Sequence, residues 1–225
     1  MKYKLDEHVR HDSRILSVYR DARRLYGESD RVHHSFSHVM RDLHRALVIA
    51  EDEVLVNYSV LIPSVLLHDI GFRTNEFELL GHDVAGARFA QKILNDLGYD
   101  EDTSTAICHC IRAHKGKAEL PQTLEAKILY DADVLEKAGL VYLLFGGKIV
   151  CEFNETIHDF LAREISDRTT ELNRGFYTKK ARELDGGRLN QVRSILSQIK
   201  SEIEEGRPDF CINEEALWMN LPAES

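Results

Sequence analysis

Residues 60–71 read VLIPSVLLHDIG, and this stretch decides the fold class. Its first eight residues are apolar on every side of a helical wheel apart from Ser64, as in a helix surrounded by other helices. Pro63 fits in or near the first turn, where a missing N–H costs little, and Gly71 stops the run. The flanking sequence repeats the helical period. Val39, Leu43, Ala46, Leu47 and Ala50 recur at helical spacing after Ser37, a candidate cap, and Val9, Ile15, Leu16, Tyr19, Ala22 and Leu25 do so before Gly27. Further helices are predicted over about 79–97, 102–115, 122–139, 155–172 and 188–205, punctuated by Gly98, Gly116 and Pro121. Only LVYLLFGGKIV (140–150) is ambiguous: its length and β-branched end suit a strand, and Gly146-Gly147 suits a broken helix. No repeat, linker or low-complexity tract divides the chain. The reading is a single all-α domain.

Composition narrows the function classes. The chain has 225 residues, enough to bury a core without disulfides, and only 4 Pro and 13 Gly. Its four cysteines, Cys108, Cys110, Cys151 and Cys211, form no C-x-x-C pair and no disulfide framework. The start, MKYKLDEHVRHDSR, lacks the apolar region of a signal peptide, and the longest uncharged apolar stretch, 57–67, is too short to span a bilayer. A cytoplasmic protein with no membrane partner is expected. A net charge of −9 leads to the further expectation that no nucleic acid polymer is bound. Eleven histidines stand out, because imidazole is the commonest metal ligand.

His68 and Asp69 end the apolar helix, where an adjacent imidazole and carboxylate are costly unless paired or metal-bound. Neighbours on a helix diverge by about 100°, so both reach one object only at close range. A cation with ligand bonds of about 2 Å meets that condition. A buried His–Asp hydrogen bond, or Asp69 bonded to the next amides, is the alternative. His34 reads as a surface or supporting residue, since the Glu of an H-E-x-x-H site is absent. Cys108 and Cys110 read as core thiols; His8, His11, His33, His44 and His158 read as solvated, and Trp218 as an anchor for the C-terminal tail.

HSFSHVMRDLHRALVIA (34–50), LLHDIGF (66–72) and LYDADVLEKAGL (129–140) together resemble the signature of the HD-domain superfamily of metal-dependent phosphohydrolases. HDVAGARFAQKIL (82–94), AICHCIRAHKG (106–116) and FYTKKARELDGGRLNQVRSILSQIKSEI (176–203) extend the resemblance to the small bacterial HD hydrolase group. It implies an HD-domain helical bundle over 30–204 with a metal site at its centre, an N-terminal helix over 1–29 and a C-terminal appendage over 205–225. It implies His38, His68, Asp69 and Asp133 as metal ligands, although a wheel projection favours Asp131, which otherwise would orient a His or a water. His82 and His114 are then ligands of a second ion, or acid–base groups acting with Asp69. The group carries a basic residue where this chain has Val134, so a cation contact is expected to be missing there. Arg41, Arg73, Lys115, Lys117 and Lys148 are the candidate phosphate contacts, with Arg73, Lys115 and Lys148 preferred.

A set of imidazoles and carboxylates suits Mn, Fe, Zn, Co or Ni, one ion or two, better than Mg. The implied activity is hydrolysis of a small phosphate ester or anhydride, such as a nucleotide, by metal-activated water. The same fold also admits a di-iron oxygenase or a non-catalytic metal-binding regulatory module. A homodimer is compatible with the sequence.

Overall fold

The computed structural model describes residues 5–27 and 34–206. His33, Cys211 and Trp218, and with them most of the expected C-terminal appendage, lie outside the described residues. Within them the chain is all helix: α1 (Leu5–His11), α2 (Arg14–Gly27), α3 (Phe36–Ala50), α4 (Tyr58–Leu67), a 3-10 turn at Ile70–Arg73, α5 (Phe77–Leu80), α6 (His82–Asp96), α7 (Glu101–Ala113), α8 (Leu124–Lys137), α9 (Leu140–Phe153), α10 (Ile157–Arg174), α11 (Lys179–Asp185) and α12 (Arg188–Glu205).

Helix α4 is the centre of the bundle. Every residue from Val60 to Leu67 is buried, so its uniform apolarity is matched by neighbours on all sides. Helices α2, α3, α7 and α8 pack around it. Side-chain caps fix several helix starts: Asn57, Asp100, Thr123 and Thr156 each accept a backbone N–H from the first turn. Pro63 sits one turn deeper than expected, and the cap before α3 is Ser35 rather than Ser37.

Gly81 splits the helix expected over about 79–97 into α5 and α6, and three further elements differ from the sequence expectation. The N-terminal stretch forms two helices, because the Asp12 carboxylate accepts the Arg14 N–H at 3.0 Å and starts a new one. Residues 140–150 are helical straight through Gly146-Gly147, and Gly146 seats the Phe160 ring, to which a Cβ would approach within 3.2 Å. Helix α11 was not foreseen; only Ala181 of it is buried.

The core has a large part built from α2 to α8 and a smaller one, Tyr142, Ile149, Phe160, Leu161, Val192 and Leu196, joining α9, α10 and α12. A cleft of about 390 Å³ lies between them, lined from both sides. Among the described residues no helix is long and apolar enough to cross a membrane.

Candidate metal centre

The floor of the cleft is a cluster of imidazoles and carboxylates. His38 projects from the first turn of α3, His68 and Asp69 follow α4, His82 opens α6, His114 follows α7, and Asp133 lies on α8. The His38 Nε2 atom is 3.1 Å from Asp69 Oδ2 and 3.4 Å from His68 Nε2. On the other side of Asp69, its Oδ1 lies 3.4 Å from His82 Nε2 and 3.7 Å from His114 Nε2.

Local backbone geometry aims the imidazoles. His68 and His114 each occupy the C-cap of their helix, and each Nδ1–H donates to the carbonyl three residues back, Val65 O at 2.8 Å and Ile111 O at 2.6 Å. That bond fills a last-turn carbonyl and fixes the tautomer, leaving each Nε2 lone pair turned to the cluster. His82 reaches Asp69 because two glycines let backbones touch. A Cβ on Gly71 would stand 2.0 Å from His82 O, and one on Gly86 would stand 3.1 Å from Gly71 N.

The structure separates the two candidate aspartates of the D-A-D triplet. Asp133 joins His38 and His68, with ligand atoms within 4.8 Å of one another, and accepts a hydrogen bond from Lys137 Nζ at 2.6 Å. Asp131 faces away and accepts from Tyr177 N at 2.9 Å, Thr178 N at 2.7 Å and Thr178 Oγ1 at 2.7 Å, anchoring the start of α11. No basic side chain stands at 134; Lys137, about one turn later, lines the cleft with its ammonium on Asp133.

One member of the cluster was not anticipated. Asp42, one turn after His38, is buried with Oδ2 3.3 Å from His38 Nε2 and 3.6 Å from His68 Nε2. With His38, His68 and Asp133 it makes one group able to hold a cation; Asp69, His82 and His114 make a second. The signal was its spacing, since residues four apart share a helix face.

Charges in the cluster are strongly perturbed. Burial works against the Asp69 charge, yet His68 and His38 hold its carboxyl well below the usual range. Burial and Lys115 push His82 well below the ordinary imidazole value, and burial with His68 brings His114 down to about 4. Both rings are therefore neutral near pH 7, the form that offers a lone pair.

Of the expected phosphate contacts, only Lys115 and Lys117 line the cleft. Lys115 has no hydrogen-bond or ion-pair partner for its ammonium among the described residues, while Lys117 pairs with Asp167 at 2.8 Å. Arg73 donates to His34 O at 3.0 Å and is not part of the lining. Lys148 is exposed over the Phe145 ring, also outside it, and Arg41 binds Glu136. His34 is no surface residue: it lines the cleft, accepts Phe72 against its ring at 4.2 Å and bonds Glu152 at 2.9 Å. Phe72 also stacks on His82 at 4.1 Å, and with Phe77 and Phe153 it forms an aromatic wall. Arg168, buried on α10 between Glu164 and Glu171, was missed by the sequence reading and lines the far end. Cys108 and Cys110 are buried, as expected of core thiols, with burial lifting them to about 11 and about 12.

Residues 35–138 match the HD domain family. A stretch of 143 residues is 28% identical to 3'-5' exoribonuclease YhaM of Listeria welshimeri, covering 54% of this chain and 46% of that protein. The same protein of Listeria monocytogenes is 29% identical over 143 residues. The chain spans about half the length of the curated relatives it matches. Among solved structures, the "predicted HD superfamily hydrolase" of an uncultured Thermotogales bacterium is 27% identical with a TM-score of 0.55, covering 89% of this chain and 99% of that one. A protein of Lactobacillus plantarum, 19% identical, shares the fold with a TM-score of 0.69 over 86% of this chain and 98% of its own.

The exoribonuclease match overturns the exclusion of nucleic acid polymers drawn from net charge. A charge summed over the whole chain says little about one cleft, and this one sets Lys115, Lys117, Lys137, Arg163 and Arg168 among the carboxylates of Asp69, Asp133, Glu155, Glu164, Asp167 and Glu171.

Proposed function

We propose that this chain, whose residues 35–138 match the HD domain family, is a metal-dependent phosphohydrolase that cleaves a small phosphate ester or anhydride, a nucleotide being the best fit. The observation that carries this reading is the buried His/Asp cluster on the floor of a cleft with an aromatic wall and the Lys115 ammonium in its lining. The donor set fits a borderline divalent ion such as Mn, Fe, Zn, Co or Ni, because imidazole nitrogen and carboxylate oxygen converge without thiolate. His38, His68, Asp69 and Asp133 are the residues proposed to hold it. Bound there, the ion supplies Lewis acidity, bringing the pKa of water toward neutrality and polarising a phosphoryl oxygen.

The chain's own groups do the rest. Asp69 Oδ1 lies between His82 and His114, and the three form a relay able to take a proton from the attacking water and return it to the leaving oxygen. The Lys115 ammonium offers its charge to the phosphate. Lys137 holds Asp133 in place at 2.6 Å. Phe72, Phe77 and Phe153 give an apolar face against which a base can stack. A second reading, that the leaving group is the rest of an RNA strand, is favoured by the exoribonuclease relatives.

The test is metal analysis of protein purified without oxygen, followed by hydrolysis assays on a nucleotide panel and on short labelled RNA. Release of phosphate or nucleotide that is lost on chelation and regained with Mn(II) is the expected result. Two irons per chain with no hydrolysis of either substrate class would sink the reading in favour of the oxygenase alternative.

A further inference from the structure

We infer that Asp42 is an additional ligand of the first ion, forming with His38, His68 and Asp133 a group of four around it beside Asp69, whose other oxygen adjoins His82 and His114. This rests on the metal-dependent reading above. The His–HD–Asp signature does not include this position. Asp42 has no solvent exposure, and its Oδ2 has no hydrogen-bond partner among the described residues. Its other oxygen, Oδ1, accepts from Arg45 Nη1 at 3.3 Å, so the side chain is held from behind and its bare oxygen faces inward. That oxygen lies 3.3 Å from His38 Nε2 and 3.6 Å from His68 Nε2, and the ligand atoms of all four residues fall within 4.8 Å of one another.

A fully buried carboxylate oxygen left without a donor destabilises a fold unless a cation completes it. A mere surface or cap role does not explain the position: Asp42 lies in the middle of α3 on the face of His38. The neighbouring carboxylate Glu136 is already neutralised by Arg41 and Arg45 and needs no ion. Asp42 differs in that its inward oxygen meets only the imidazoles that are themselves proposed ligands.

The test compares wild type, Asp42→Asn and Arg45→Gln after metal removal, measuring Mn(II) affinity by chelator competition and melting temperature with and without Mn(II). Asp42→Asn is expected to weaken Mn(II) at least tenfold, and the rise in melting temperature that Mn(II) gives wild type is expected to shrink in the variant. Arg45→Gln, which leaves Oδ2 in place but removes the group behind it, is expected to lose clearly less affinity than Asp42→Asn. Unchanged Mn(II) affinity in Asp42→Asn overturns the inference, as does an equal loss in both variants, which would make Asp42 and Arg45 a structural pair. If the amide variant does not fold, Asp42→Ala is read by the same criteria. Failure of wild type to bind Mn(II) or any other divalent ion would instead refute the metal-dependent reading itself.

Discussion

Replacing Gly71 by Ala would put a methyl carbon 2.0 Å from His82 O and 2.7 Å from Gly86 N. Cβ atoms essentially never approach another heavy atom within 3.0 Å, and both obstacles here are backbone. Helix α6 must then retreat by about 1 Å or more, an overpacking that costs on the order of 1–3 kcal/mol. In a chain of this size each kcal/mol lowers the melting temperature by roughly 2–4 °C, so a fall of about 5 °C is expected. The retreat carries His82 with it, because His82 is the first residue of α6. Its Nε2, 3.4 Å from Asp69 Oδ1, moves out of reach, and a displacement of about 1 Å in a positioned group costs on the order of a hundredfold in rate. Differential scanning fluorimetry and initial-rate phosphate release on the same preparation read both effects. Gly86→Ala, with its Cβ at 3.1 Å, is the milder comparison. A Gly71→Ala variant that melts within about 1 °C of wild type and keeps most of its activity would refute the claim that this contact positions His82.

Lys115→Met should raise KM about tenfold or more without altering the melting temperature, since a charge-assisted bond to the substrate is worth about 1.5–3 kcal/mol and the ammonium has no partner to lose. Lys148→Met, outside the cleft, should leave steady-state kinetics unchanged; the reverse pattern would relocate the phosphate contact. Asp131→Asn should keep full metal content while lowering stability, because it weakens the three bonds that anchor α11. Burial lifts the Asp131 carboxyl to about 6, against the bonds from Thr178 and Tyr177. The native state therefore binds this proton more tightly than the unfolded chain, and the contribution is complete below pH ~4 and lost as pH rises through about 6. A urea-unfolding series from pH 4 to 7 should show that slope flattened in Asp131→Asn; an unchanged slope would assign it to another group.

Much of this could be read from residue order alone, for identifiable reasons. Helix α4 announces itself because eight successive apolar positions can be buried only inside a bundle. His68-Asp69 was visible as a polar pair ending an apolar helix, whereas His38 and Asp133 were singled out only through the resemblance to the HD-domain signature. Asp42 was not, because M-R-D-L-H-R reads as a charged face, and its burial depends on α4 and α8 closing over α3. Arg168 was hidden in the same way: IHDFLAREISDRTTELNR looks solvated, and only its packing against α9 and α12 encloses it. The wheel alone pointed to Asp131 rather than Asp133, since it cannot show that α11 waits on one side and the histidines on the other. Residues 140–150 misled because Gly-Gly breaks an isolated helix but not one whose glycine makes room for Phe160.

His68 and His114 terminate α4 and α7, so two helices end at the same point with their C-terminal poles turned toward it. Each pole carries a partial negative charge of about half an electron. The backbone thus creates an attractive potential for a cation before any aspartate contributes, and the same potential repels an anion approaching an empty centre. Ion and phosphate are consequently expected to bind in order, the ion first, with phosphate affinity rising steeply once it is in place.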